Sequence, residues 1–282
     1  MITARLDGKA LGQTWLRATH ARVDALPKPP RLVIVQVGSV PASSVYVEKK
    51  IQAAASVGMK SEKFGLPEEV SEEALLAQIH ALAQEEATDA ILIQTPLPAH
   101  IDTQAVLDAV PWRKDVDGLS AESTTRRAKG LPCHTPATPT AVLRVMVEEW
   151  GHTLQGLKVA VVGNGRVVGA PLRQMLVQAG AQVVAIDRAT PHPQALCRSA
   201  EVVVAACGVP HLVKGNWLKA GADVVDVGLT GIEDHGRAKL CGDVDPFAVE
   251  GIAARRTPAP GGIGPLTVAQ LLANVANATN LE

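Results

Sequence analysis

Gly163, Gly165 and Gly169 lie in "VVGNGRVVGAP" (161–171), after the apolar run "LKVAVVG" and at the head of a helical pattern. Between a strand and a helix, such a turn lets backbone N–H groups and the helix N-terminus approach a pyrophosphate, because no side chain intervenes. The spacing, GxGxxxG, is one residue longer than the usual dinucleotide fingerprint. Asn164 and Arg166 complete the turn. Asp187 closes the next apolar run, where a carboxylate accepts hydrogen bonds from an adenosine ribose and repels a 2′-phosphate, which points to NAD. Arg188 beside it points the other way, since a guanidinium clamps a phosphate and would favour NADP. A second pairing is Tyr46, the only tyrosine of the chain, with Lys50. At i and i+4 their side chains leave one helix face, an arrangement that by itself also describes a ring resting on a lysine stem at a surface. The third feature is "TPAPGGIGPLT" (257–267), with three prolines and three glycines. It is expected to be neither helix nor central strand but a loop close to a ligand, with Thr267 capping the last helix.

The elements that must position these residues are readable from periodicity. Continuous apolar runs at 31–38, 89–94, 157–163, 181–186, 201–207 and 222–228 show little alternation, as parallel strands covered on both faces do. Helices are expected between them over 43–57, 71–86 and 140–150. Gly58 and Gly151 fit as left-handed C-caps, and Ser71 as an N-cap followed by the acids Glu72 and Glu73. Strand–helix alternation along the chain implies an α/β architecture. The polar, proline-containing stretch 121–139 breaks that alternation and is expected to be the crossing between two domains.

Composition narrows the function classes. The chain has 282 residues, 47% of them apolar, and a formal charge of −1, which suits two domains of about 150 residues each. That charge balance offers neither a basic face for nucleic acid nor a polybasic run for a membrane. The N-terminal sequence is not a signal peptide and no run reaches membrane-spanning length, so the expected location is the cytoplasm. Cys133, Cys197, Cys207 and Cys241 show no CxxC spacing, so no metal site is expected, and all four are read as reduced, buried thiols.

Seven blocks, "VGSVPASSVYVEKK" (37–50), "ILIQTPLP" (91–98), "KDVDG" (114–118), "VVGNGRVVGAP", "VVDVG" (224–228), "GDV" (242–244) and "TPAPGGIGPLT", occur in this order. Together they closely resemble the bifunctional methylenetetrahydrofolate dehydrogenase/methenyltetrahydrofolate cyclohydrolase family, over nearly the whole chain. The resemblance implies a homodimer of two-domain chains. An N-terminal α/β folate domain spans 1–138, a Rossmann-type dinucleotide domain spans 139–266, and the last helix, 267–282, returns to the first. It implies oxidation of 5,10-methylenetetrahydrofolate by hydride transfer to a nicotinamide coenzyme, then hydrolysis to 10-formyltetrahydrofolate. A single-activity relative, cyclohydrolase only, and a non-catalytic folate- or nucleotide-binding protein are the alternatives.

By the same resemblance Lys50 matches the family's catalytic lysine, Tyr46 its tyrosine, Gln94 the glutamine of Gln-x-Pro-Leu-Pro and Asp117 the second acid of Lys-Asp-Val-Asp-Gly. Tyr46 and Asp117 would also bind substrate, with Pro260, Gly261 and Gly262. Each suits the chemistry. Hydrolysis needs a base, and a lysine at its reference pKa of about 10.4 serves only when desolvated. Gln94 can hold that amine in either protonation state, and Asp117 offers two acceptors to a pterin edge or, on a blander reading, caps its own turn. The chain departs from the family mainly on the coenzyme side. Asn164–Gly165 replaces Arg-Ser, and Asp187–Arg188 replaces His followed by Ser or Arg. NADP is the coenzyme the family implies, and these changes favour NAD. Ala141 also stands where the family has glycine.

Overall fold

Each of the six apolar runs forms a strand. The structure, a computed structural model, describes residues 2–38, 41–234 and 237–281, without the side chains of 41–45, 234, 237 and 238. Ser39 and Val40 of the "VGSVPASSVYVEKK" block lie outside the described residues. In chain order the first elements are β1 (Ala4–Arg5), α1 (Gly8–Asp24), β2 (Arg31–Val37), α2 (Pro41–Ser56), β3 (Lys60–Leu66), α3 (Glu72–Gln84), β4 (Ala90–Ile93), α4 (Thr103–Asp108), α5 (Ala121–Ala128) and α6 (Ala137–Arg144). They continue with β5 (Lys158–Val162), α7 (Gly169–Gln178), β6 (Gln182–Ile186), α8 (Pro193–Arg198), β7 (Val202–Ala205), β8 (Asp223–Asp226), β9 (Thr230–Asp234), β10 (Arg237–Cys241), β11 (Arg255–Arg256) and α9 (Ile263–Ala278). The chain forms two compact units, Met1–Gly12 with Thr138–Thr267, and Gln13–Ala137 with Val268–Glu282.

In the unit of Gln13–Ala137 and Val268–Glu282, β2 is central in a parallel sheet of order β3-β2-β4. Successive β2 side chains face opposite ways. Leu32 and Ile34 pack with Val47 and Ala54 of α2 and with Leu271, Leu272 and Val275 of α9. Val33 and Val35 pack with Leu75 and Ile79 of α3 and Val106 and Leu107 of α4. Both faces are covered, which is why the run carries no alternation. α9 thus supplies core to this unit, as the returning helix implied. Asn274 reinforces it, donating to the carbonyls of Val116 and Thr135, each at 2.8 Å.

The other unit holds a six-stranded parallel sheet of order β1-β11-β8-β7-β5-β6 and an antiparallel hairpin, β9–β10. β6 and β7 flank β5 on opposite sides. The order therefore reverses at β5, and in open parallel sheets such a reversal leaves a crevice at the carboxyl ends of the strands. β1 pairs with β11, Ala4 opposite Arg255, so Met1–Gly12 runs with this unit.

Several local expectations change. The stretch 121–139 contains α5, whose N-cap Ser120 accepts from the Ser123 amide and whose Arg127 turns inward to donate to the Gly118 carbonyl at 3.1 Å. Polar composition hid it because its buried face is itself polar. α9 begins at Ile263, so the glycine–proline stretch is partly helical and Thr267 lies inside the helix, its hydroxyl donating to Thr138 Oγ1 at 3.1 Å. Pro265 is tolerated because a first-turn residue needs no amide donor. Ser71 caps α3 as expected, accepting from the Ala74 amide at 3.2 Å. Gly58 and Gly151 have φ of +77° and +70°. Among the described residues no helix is long and apolar enough to cross a membrane.

Candidate active site

α2 carries Tyr46 and Lys50 one turn apart, and β4 ends one residue before Gln94. The Gln94 amide donates to the Val35 carbonyl at 2.8 Å, extending the sheet by one bond. Its side chain is fixed at both ends: Nε2 donates to the Thr95 carbonyl at 2.8 Å, and Oε1 accepts from Lys50 Nζ at 2.9 Å. Burial pushes the Lys50 amine below its ordinary pKa, and the charge of Asp117 partly opposes that fall. Asp117 is pushed up by burial, with Lys50 opposing and Asp115 adding to the rise, while the Ala137 amide steadies the carboxylate. Lys50, Gln94 and Asp117 thus form one electrostatic group in one unit. Tyr46 is half-buried, its hydroxyl pushed up by burial. The ring is covered by Lys49, with Nζ 5.7 Å from the centroid, a contact the sequence reading did not single out. Lys50 is thereby left to Gln94.

The "KDVDG" block divides its labour. Lys114 Nζ donates to the carbonyls of Ala83 and Glu85, at 2.7 and 2.9 Å, and so closes the C-terminal end of α3. Asp115 is buried and accepts from the Ser120 amide at 2.9 Å and the Ser123 hydroxyl at 2.7 Å. The acid that caps the local turn is therefore Asp115, which leaves Asp117 for another purpose. Gly118 has φ of +61°, and a Cβ there would stand 2.5 Å from the His134 carbonyl oxygen. The spacing of two acids in one block was the available signal, but only packing distinguishes their tasks.

In the other unit, the turns after β5 and β7 meet at the point where strand order reverses. They line a cavity of about 500 Å³ with Gly163, Asn164, Gly165, Asp187 and Arg188 at its polar side and Ile186, Leu212 and Trp217 among its apolar walls. That size is typical of a small-ligand or cofactor site. Gly163 has φ of +110°, and an added Cβ would lie 2.2 Å from the Ala206 carbonyl oxygen, so glycine is required by the fold itself. At Gly165 an added Cβ would meet no heavy atom within 4 Å. The fold does not require glycine there, and its bare backbone faces open space where a phosphate would approach. Gly169 is the first residue of α7, while Arg166 is exposed. Asp187 is held below its ordinary carboxylate pKa by the Thr190 hydroxyl first and the Ala189 amide next, with the Arg173 charge contributing. These residues fit a dinucleotide.

Pro260, Gly261 and Gly262 form the turn that leads into α9, after a cis Ala259–Pro260 peptide, with Gly261 at φ +101°. The four cysteines are free, as expected, but only Cys197 and Cys241 are buried, with Cys133 and Cys207 half-exposed. Burial pushes the Cys207 thiol up to about 12, with Asp243 adding to it.

Comparison with known proteins accounts for both units. Residues 6–117 match the family model for the tetrahydrofolate dehydrogenase/cyclohydrolase catalytic domain, and residues 136–282 match that for its NAD(P)-binding domain. The chain is 40% identical over 280 residues to Bifunctional protein FolD 2 of Pseudomonas syringae, covering 98% of this chain and 93% of that one. Among solved structures, the bifunctional methylenetetrahydrofolate dehydrogenase/cyclohydrolase of Campylobacter jejuni superposes with a TM-score of 0.93 at 33% identity, covering 98% of both chains. The Trypanosoma brucei dehydrogenase-cyclohydrolase, solved with NADP cofactor and inhibitor, also gives a TM-score of 0.93 at 33% identity, covering 99% of this chain and 97% of that one. With both domains matched in order over most of its length, the chain belongs to the tetrahydrofolate dehydrogenase/cyclohydrolase family.

Proposed function

We propose that this protein oxidises 5,10-methylenetetrahydrofolate to the 5,10-methenyl cation with a nicotinamide coenzyme, and hydrolyses that cation to 10-formyltetrahydrofolate. The observation that carries the reading is Lys50 Nζ held 2.9 Å from Gln94 Oε1, because hydrolysis is the step that needs a positioned base. A bound NAD or NADP supplies the hydride acceptor. Tyr46 aligns the substrate by packing its ring on the aromatic part of the folate. Asp117 takes the amino and ring N–H donors of the pterin edge. In the second step water adds to the methenyl carbon and gives a proton to the Lys50 amine. Opening of the bond to N5 returns a proton to that nitrogen, and the hydroxyl proton leaves to solvent, so the balance is one water consumed and one proton released. Gln94 Oε1 accepts an N–H from Lys50 whether the amine is charged or neutral, so the base keeps its place through the cycle.

NAD is the preferred coenzyme in this reading. Asp187 lines the cavity and is held ionised, which suits ribose hydroxyl donors and opposes a 2′-phosphate. A cytoplasmic homodimer completes the proposal, checked by sedimentation of the purified protein. The deciding assay follows methenyl and reduced-coenzyme absorbance with 5,10-methylenetetrahydrofolate and NAD or NADP separately. Turnover with NAD above NADP is expected, and the reverse order removes the coenzyme assignment. A Lys50→Gln variant that still hydrolysed methenyltetrahydrofolate at the wild-type rate would overturn the role given to the lysine.

A further inference from the structure

Arg173 lies in the second turn of α7 and is half-buried. Helical side chains lean towards the N-terminus of their helix, and here that direction leads back to the glycine turn. Arg173 Nη1 donates to Asn164 Oδ1 at 2.7 Å. Its charge also reaches Asp187, where it adds to the Thr190 and Ala189 hydrogen bonds that lower the carboxylate pKa. Asn164 and Asp187 both line the cavity, on the turn after β5 and the end of β6. One guanidinium therefore serves the two edges of the site where a ribose would sit. Arg166 and Arg188, the basic residues that the sequence made conspicuous, are exposed, and Arg188 also lines the cavity.

We propose that Arg173 is a specificity-determining residue of the dinucleotide site: it is bound to Asn164, which lines the same cavity as Asp187, and it becomes the receptor for a 2′-phosphate when that carboxylate is removed. The inference rests on the reading of this cavity as a dinucleotide site. Arginine has five N–H donors in a planar fork, so the bond to Asn164 leaves donors for a phosphate. In the protein as it stands, Asp187 sets the sign of the local charge and Arg173 softens it. Discrimination against a 2′-phosphate is accordingly weaker than the carboxylate alone would produce.

The test is calorimetric titration of the whole chain with 5′-AMP and with 2′,5′-ADP, two probes that differ by the phosphate at issue and need no folate. Asp187→Ser should raise the affinity for 2′,5′-ADP relative to 5′-AMP by about tenfold or more, as expected for a charge-assisted hydrogen bond. Adding Arg173→Gln to Asp187→Ser should lower the ratio by about tenfold from its Asp187→Ser value, and Arg173→Gln alone should lower the ratio below wild type. In each variant the 5′-AMP affinity reports whether the site is intact, since a merely structural loss would weaken both probes together. An equal ratio in Asp187→Ser with and without Arg173, or no gain in Asp187→Ser while 5′-AMP still binds, overturns the proposal and leaves the dinucleotide reading standing. Binding of neither probe to the wild-type protein overturns both.

Discussion

Replacing Gly163 and Gly165 separately by alanine should split two roles that the glycine motif combines. At Gly163 the φ of +110° is one that L side chains rarely adopt, and the new Cβ would stand 2.2 Å from the Ala206 oxygen and 2.9 Å from the Cys207 Cα. Neither neighbour is the free end of a flexible side chain. Ala206 follows β7, and its amide already donates to the Val162 carbonyl at 2.8 Å, so relief requires β5 and β7 to part at their carboxyl ends. Strained φ costs about 1–3 kcal/mol and overpacking about 1–3 kcal/mol more, a large share of the roughly 5–15 kcal/mol that holds a domain folded. For a unit of this size each kcal/mol lowers Tm by about 2–4 °C, so Gly163→Ala should melt roughly 5–20 °C early and lose nucleotide binding with it. Gly165→Ala meets nothing within 4 Å and should melt within a degree or two of wild type while binding nucleotide more weakly. The assay is thermal unfolding with and without saturating NAD. A Gly163→Ala protein with wild-type Tm, or a Gly165→Ala protein with a large loss of Tm, would refute the division.

Lys50→Met should stabilise the fold near neutral pH. The folded pKa of Lys50 is lowered by burial, so between that value and the unfolded value of about 10.4 the unfolded chain binds more protons and wild-type stability rises with pH. The advantage of the variant should therefore be full below the folded pKa and fade as pH climbs through this window, as urea titrations at a series of pH values would record. Gln94→Leu removes the acceptor of Lys50 Nζ and should slow methenyl hydrolysis by about tenfold or more, as loss of a hydrogen bond of about 1.5–3 kcal/mol to a charged group would, with a smaller effect on oxidation. Equal losses in both activities would instead assign Gln94 to substrate binding. Asp115→Ala strands the buried Ser120 amide and Ser123 hydroxyl and should cost about 2–5 kcal/mol in denaturant unfolding.

The residues and their chemistry were legible because covalent spacing carries them. Tyr46 and Lys50 share a helix face whatever surrounds that helix, and three glycines between a strand and a helix announce a close backbone approach. The strands were legible because β2, β4, β5, β7 and β8 are covered on both faces and must be apolar throughout. Where that pressure was absent the reading lost its purchase. β3, "KSEKFGL", is a polar edge strand recognised only through its pairing with β2. α5 buries a polar face and looked like a linker.

Tertiary structure alone decided how identical residue types divide their tasks. Asp115 and Asp117 are two positions apart, yet one is consumed by the cap of α5 while the other shares an electrostatic environment with Lys50. Lys49 rather than Lys50 covers the tyrosine ring, which leaves the second amine for Gln94, forty-four positions away in the chain. Arg173 reaches the turn at Asn164 from the second turn of α7, while the arginines beside the motif remain exposed. Spacing along a chain limits which groups can meet, but desolvation and charge act through space, and only the packed fold sets those distances.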